Sequence, residues 1–363
     1  MRCCQNCFED EYLITKIKEY DEIGCCEYCH SEEVYVIEVD ELTEEFDKLF
    51  KHYGSTEPYE FYHPELQGDP SEFGDRLIEL INEDWNIFSE DIVGTGTDET
   101  LLFDILNSNK RWDPDEYIDP HNLYSRITRA FTFVHPLEEW EDIWNAFKKE
   151  IKHSNRFFPK PIIEIFNNSF DDILGLRTKQ IDNVELFRSR LGNQPANKMK
   201  APPAEMATAG RANPRGISYL YCALDEKTCI AEIRPWKGAE VTVAQFSLKK
   251  SLTIAALNRQ PLSPFAFESP YEILAIERIL SAFIEELSTP VDPSKSEIEY
   301  LPTQYITELI KSKGFDGILF DSAMGPGNNI VLFDQNHLDI SKTYTIVVKD
   351  IIYEYRSVEN SAE

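Results

Sequence analysis

No stretch of the 363 residues approaches the roughly 20 consecutive apolar residues that a helix needs to cross a bilayer. The first eleven residues, MRCCQNCFEDE, have no apolar core and do not read as a secretory leader. Both absences predict a cytoplasmic protein with no membrane partner. Positive charge is also scarce, with 36 Lys and Arg against 65 Asp and Glu and a formal net charge of −29. The deficit is uneven. Residues 1–180 hold 17 basic and 41 acidic side chains, net −24, whereas residues 181–363 hold 19 and 24, net −5. A first half this acidic repels a phosphate backbone, which argues against nucleic acid as a partner. The nearly neutral second half can still gather arginines around a small anion. Internal repeats and low-complexity tracts are absent as well. What remains is an ordinary globular composition, 42% hydrophobic, in a chain long enough for two or three domains.

Six of the eight cysteines fall within the first 29 residues. Cys4-x2-Cys7 and Cys26-x2-Cys29, separated by 18 residues, have the spacing of a four-thiolate structural zinc site. Each Cys-x-x-Cys turn grips one edge of a tetrahedron. A segment this short needs such a staple to fold, and the cytosol disfavours disulfides. Cys3 and Cys25 leave the register open, and His30 is an alternative ligand. With four protein ligands the metal would be structural.

The expected organisation is a zinc module over residues 1–40, an acidic and mostly helical domain over 41–175, and an α+β domain over 184–356. Ser71 after Pro70 predicts a helix with a stripe of Phe73, Leu77, Leu80, Ile81, Trp85 and Phe88. A second helix follows Pro136, with Trp140, Ile143, Trp144, Phe147 and Ile151 on one side. Arg129 and His135 fit the Arg-x(4–6)-His spacing of HEPN ribonucleases, but the acidic surroundings do not suit RNA. Later, strands are expected at Val184 to Arg190, Ile217 to Ala223, Val241 to Leu248, Leu252 to Leu257, Phe315 to Phe320, Asn329 to Phe333 and 343–356. Helices are expected after Asp225, after Ser269-Pro270 and from Thr303 to a stop at Gly314.

Candidate functional residues cluster in this second part. Residues 208–234 place an irregular Gly210-Arg211-x-Asn213-Pro214-x-Gly216 loop, a strand carrying Tyr221 and a helix carrying Glu232 in immediate succession. Consecutive elements usually neighbour one another in space. An arginine would face an anion and a glutamate a developing cation. Ser322 opens a Gly-rich connection between two apolar strands.

These pieces resemble the RES domain family, named for an arginine, a glutamate and a serine. The resemblance runs from about Val184 to Leu338. It rests on Leu186-Phe187-Arg188-Ser189-Arg190, the Gly210-Arg211 loop, Tyr219-Leu220-Tyr221, Ala231-Glu232, Tyr300-Leu301-x-Thr303-Gln304, Gly314-Phe315-Asp316-Gly317, Ser322 and Asn329-Ile330-Val331-Leu332-Phe333. It implies a fold resembling ADP-ribosyltransferases and an enzyme that degrades NAD+, by hydrolysis or by attack of inorganic phosphate. It also implies a toxin held inactive by a helix-turn-helix antitoxin. Arg211, Glu232 and Ser322 would be catalytic, with Arg188, Tyr221 and Asn213 binding substrate. The first half looks similar to the extension found ahead of RES domains in larger members. Two other readings remain open, transfer of ADP-ribose to a macromolecule and a non-catalytic zinc-containing scaffold.

Overall fold

The computed structural model of the chain describes residues 1–56, 74–110, 117–126, 136–160, 170–171, 173–258, 262–267, 270–289 and 296–352. It divides into two compact units, Met1–Trp144 with Pro261–Ile279, and Asn145–Gln260 with Leu280–Glu363.

The first unit opens on a three-stranded antiparallel sheet, with β1 (Arg2–Cys4) and β2 (Ile23–Gly24) flanking β3 (Val34–Glu38). Between β1 and β2 lies helix α1 (Glu11–Glu19). Asp10 caps it by accepting a hydrogen bond from the Leu13 amide at 3.0 Å, and Leu13 and Ile17 are buried. Helix α2 (Thr43–Phe50) buries Phe46 and Leu49 in the same core. This core also takes helices α3 (Leu77–Asp84) and α4 (Thr97–Asn107).

Two expectations need correction here. Among its described residues the acidic part expected over 41–175 is helical for the most part, but β4 (Tyr53–Ser55), β5 (Asp75–Arg76) and β6 (Leu123–Arg126) add an unexpected second sheet, order β4-β6-β5. Strands of two to four residues are too short to leave a readable alternation. The stripe through Phe88 also outruns its helix. Trp85 takes an extended conformation at the end of α3, and Phe88 is buried through a β-bridge to Phe8, its ring 5.9 Å from that of Phe8. The Ser71 cap, Phe73 and the Arg129–His135 pair lie outside the described residues.

Beneath the second sheet is a buried ionic network. Arg126 donates through Nε to Asp84 Oδ2 at 2.7 Å and through Nη2 to Glu83 Oε2 at 2.7 Å. Tyr53 donates its hydroxyl to Asp84 Oδ2 at 2.8 Å and accepts from Trp85 Nε1 at 3.1 Å. The Asp84 side chain is 1% exposed and that of Arg126 3%. Removing Asp84 leaves the buried Arg126 with Glu83 alone and takes an acceptor from Tyr53 and a partner from Arg278. Asp84→Ala is therefore expected to cost about 3–5 kcal/mol. Denaturant unfolding followed by tryptophan fluorescence tests this, and an unmoved midpoint would refute it.

The second unit is built on an eight-stranded mixed sheet. Its strands are β7 (Thr178–Ile181), β8 (Glu185–Leu191), β9 (Leu220–Ala223), β10 (Glu240–Leu248), β11 (Leu252–Ala256), β12 (Gly317–Asp321), β13 (Asn328–Leu332) and β14 (Leu338–Val347). They lie in the order β14-β10-β8-β9-β13-β12-β11-β7, and only β11 and β12 run parallel. The expected strands at 184–190, 241–248, 252–257 and 329–333 are present within a residue or two. The strand expected over Ile217 to Ala223 is confined to β9, the one over Phe315 to Phe320 starts at Gly317, and the last strand, expected over 343–356, begins at Leu338 and ends at Val347, residues 353–356 lying outside the described ones.

The helices of the described residues that follow are α5 (Pro136–His153), α6 (Glu226–Glu232), α7 (Pro270–Ser288), α8 (Ser296–Glu299) and α9 (Leu301–Ser312). Trp144, Phe147 and Ile151 of α5 are buried, as their spacing predicts; the Trp140 side chain lies outside the described residues. Asp225 caps α6 by accepting from the Thr228 amide at 2.8 Å. Thr303, expected as the cap of α9, sits inside its first turn, and Tyr300 is the capping residue. The Thr303 hydroxyl has another partner, described below. Gly314 follows α9 with φ of +90°, the left-handed conformation that glycine adopts most readily.

One seam of this sheet positions the site. β8 pairs with β10 along residues 185–191, but it meets β9 only at Phe187 and Ala223. Beyond that pair the two strands part, and polar side chains of β8 enter the opening.

Candidate functional site

The loop before β9 is organised by its own side chains. Asn213 is 5% exposed and donates Nδ2 to the carbonyls of Thr208, Pro214 and Ile217 at 3.0, 3.2 and 2.8 Å. Its Oδ1 accepts from the Tyr221 hydroxyl at 2.8 Å, and that hydroxyl accepts from the Ala212 amide at 3.1 Å. Burial pushes the Tyr221 phenol up to about 12, so it remains a neutral donor. From the other side Gln304 donates Nε2 to the carbonyls of Gly210 and Asn213 at 2.8 and 3.0 Å, and Thr303 donates to the Arg211 carbonyl at 2.6 Å. A side chain at position 210 would meet the Asn213 amide oxygen and come within 2.8 Å of the Tyr221 hydroxyl, so glycine is required by close approach. The first turn of α9 and a tyrosine of β9 thus fix the loop between them.

Arg211 leaves this loop with its guanidinium turned to the end of α7. Its Nη1 donates to the carbonyls of Leu287 and Ser288 at 2.9 and 2.8 Å. A cation there satisfies carbonyls that the helix itself leaves without partners.

Glu232 ends α6, and both hydrogen bonds to its carboxylate fall on one oxygen. Oε1 accepts from Ser322 Oγ at 2.6 Å and from Asn329 Nδ2 at 2.6 Å. Ser322 Oγ in turn accepts from the amides of Met324 and Gly325 at 3.1 and 2.9 Å. The serine hydroxyl is thereby saturated, and its effect is to orient the carboxylate. The Gly-rich connection that carries it is pinned to α6, where the Gly327 amide donates to Thr228 Oγ1 at 2.9 Å. Asn329 was not singled out in the sequence. Its signal is its place at the head of the Asn329-to-Phe333 motif, as a polar residue near the start of the apolar β13, directly opposite Ala223.

Arg188, Arg211, Tyr221, Glu232 and Asn329 line one cavity of about 400 Å³ at the β8–β9 seam. Ser322 reaches it through Glu232, and Asn213 stands behind it through Tyr221. The Nη1 of Arg188 is buried with no hydrogen-bond partner. Burial, reinforced by the neighbouring Arg190, lowers the pKa of this guanidinium from its usual value. Among the described residues no acceptor meets this Nη1 in place of water, as an anionic ligand would.

In the first unit the sulfur atoms of Cys4, Cys7, Cys26 and Cys29 all lie within 4.8 Å of one another. Cys4 to Cys29 is 3.4 Å, Cys7 to Cys26 is 3.5 Å and Cys4 to Cys7 is 3.9 Å. Four sulfurs at zinc-bonding distance on a tetrahedron would stand about 3.8 Å apart. Cys26 Sγ accepts from the amides of Tyr28 and Cys29 at 3.4 and 3.5 Å, contacts that favour a thiolate. Cys3 instead points at the Ile37 carbonyl, Cys25 is exposed, and neither they nor His30 belong to the cluster.

Residues 185–355 match the family model of the RES domain. This part of the chain is a RES domain. Among solved structures, the crystal structure of the M. tuberculosis MbcT–MbcA toxin–antitoxin complex is similar at 12% identity and a TM-score of 0.31, covering 50% of this chain and 93% of that one. No curated protein matches the chain. The RES domain thus contains Arg188, Arg211, Tyr221, Glu232, Ser322 and Asn329 together. No helix among the described residues is long and apolar enough to cross a membrane.

Proposed function

We propose that the RES domain degrades NAD+ by breaking the bond between nicotinamide and ribose. One observation carries this reading. A single cleft joins the half-buried Arg188, whose Nη1 is buried with no hydrogen-bond partner among the described residues, to a carboxylate aimed by two neutral donors, Glu232. NAD+ has the matching chemistry, an anionic pyrophosphate at one end of a ribose and a cationic leaving group at the other. The cleft volume is within the usual range for small-molecule sites.

In the proposed step the C1–nitrogen bond breaks and its electron pair goes to the ring nitrogen. Nicotinamide leaves neutral and needs no proton. Positive charge develops on the ribose, and C1 is then attacked by water, whose surplus proton passes to solvent, or by inorganic phosphate. Glu232 stabilises that charge through the oxygen not bonded to Ser322 and Asn329. Ser322 and Asn329 position it. Arg188 takes the pyrophosphate, whereas Arg211, with Nη1 on the α7 carbonyls, fixes the wall of the cleft and offers its remaining N–H groups. Tyr221 and Asn213 shape the loop rather than touch the ligand.

The mixed sheet with its opened seam is compatible with the ADP-ribosyltransferase-like fold that the family resemblance implies. On the same grounds the proposal extends to a cytoplasmic toxin with a helix-turn-helix antitoxin as partner. The four cysteines would hold a structural zinc, with residues 1–40 as a zinc module, 41–175 as an acidic domain and 184–356 as the catalytic one. Purified chain incubated with NAD+ should release free nicotinamide, with and without added phosphate. Absence of nicotinamide under both conditions would overturn the reading, and labelled ADP-ribose retained on protein or nucleic acid would redirect it to group transfer.

A further inference from the structure

The second unit contains a larger cavity that the proposed reaction does not use. It encloses about 620 Å³ between the end of α5, residues 209–215 and the outer face of α9. Its walls are mainly apolar, with Ile151, Leu301, Tyr305 and Leu309 among the residues that line it. The Tyr305 ring is fixed from behind by Phe147, 5.7 Å away and edge-on. At the rim Phe157 is 76% exposed, an aromatic ring left in water beside an apolar hollow. Covering such a ring takes apolar surface out of water and favours binding.

The charges around the cavity decide what could enter. Arg215 faces Glu297 at 3.8 Å, and Glu308 accepts from the Tyr219 hydroxyl at 2.8 Å. Arg156 also lines the cavity and is exposed, with no hydrogen bond or ion pair to another described residue. Of the four charged side chains that line the cavity, Arg156 alone has no polar partner among the described residues, and its guanidinium lies next to an open aromatic ring. We infer that this cavity is a second ligand site, taking a small organic anion with an aromatic or aliphatic body. The body lies against Phe157, Tyr305 and Leu309, and the acid group meets Arg156. Burying the body supplies most of the affinity, and the guanidinium sets the sign of charge accepted.

The probe is 8-anilinonaphthalene-1-sulfonate, an aromatic body with one anionic group, titrated onto the full-length chain and followed by its fluorescence. One dye is expected to bind per native chain and to stay bound at saturating NAD+. Arg156→Glu should weaken binding about tenfold, the combined effect of losing an attraction and adding a repulsion. Leu309→Trp should abolish it by filling the hollow. Both variants should melt like the parent, since Arg156 is exposed and Leu309 faces open space. Equal dye affinity in all three chains would overturn the site. So would displacement by NAD+ that is the same in Arg156→Glu as in the parent, because the dye would then occupy the other cleft. The readout is binding, so it stands or falls separately from the NAD+ reaction.

Discussion

Replacing Glu232 by glutamine is expected to cut nicotinamide release from NAD+ by about 10²–10³-fold while leaving the chain folded, the usual consequence of removing one preorganised charge stabiliser. The substitution is nearly isosteric. A glutamine carbonyl in the place of Oε1 still accepts from Ser322 and Asn329, which hold that oxygen at 2.6 Å each. What changes is the other position, where an amide N–H₂ now faces a ribose that is gaining positive charge. The loss should therefore appear in kcat, with little change in KM, because the missing interaction strengthens only as the bond breaks. Thermal unfolding is the control, and its midpoint should match the parent's. A Glu232→Gln chain that releases nicotinamide at the parent rate would remove the carboxylate from the mechanism and with it the reason for Ser322 to hold it.

The parts of this arrangement that local chemistry determines were legible in the sequence. The strands β10 and β11 follow from two-residue alternation with β-branched residues, the start of α6 from Asp225, and the end of α9 from Gly314. Arg211, Glu232 and Ser322 were legible through family resemblance, since nothing in their own neighbourhoods distinguishes them from an ordinary turn, helix end and strand end. Their detailed roles were not, because those depend on contacts across long stretches of chain. Tyr221 reads as a substrate-binding residue, and only the returning loop shows Asn213 as the acceptor of its hydroxyl. Thr303 reads as a helix cap until the Arg211 carbonyl, 92 residues earlier, appears as its acceptor at 2.6 Å. Arg211 reads as a phosphate clamp until α7 ends against it. In the first unit the same non-locality hid β4, β5 and β6. Phe88 also misled, being buried at helical spacing by a bridge to Phe8 and not by a helix.

Removing zinc should be more damaging than any single substitution in the cleft, because it acts on folding itself. Cys4 and Cys7 are fully buried and Cys26 is 3% exposed, all within the core that contains α1, α2, α3 and α4. As free thiols they would contribute little more than small apolar groups. As zinc ligands they tie β1 and the turn at Cys7 to the Cys26–Cys29 turn across a tetrahedron, with a binding free energy on the order of 10–16 kcal/mol. That exceeds the stability of most whole domains, so the metal-free first unit should unfold rather than loosen. Purified chain is expected to carry one zinc, and excess chelator should expose Trp85, 5% exposed in the folded unit, to solvent. Cys26→Ala should sharply weaken metal retention, since it removes one of the four sulfurs that converge. Less than about half a zinc per chain, or a melting curve that chelator leaves in place, would show that the thiols pack without a metal.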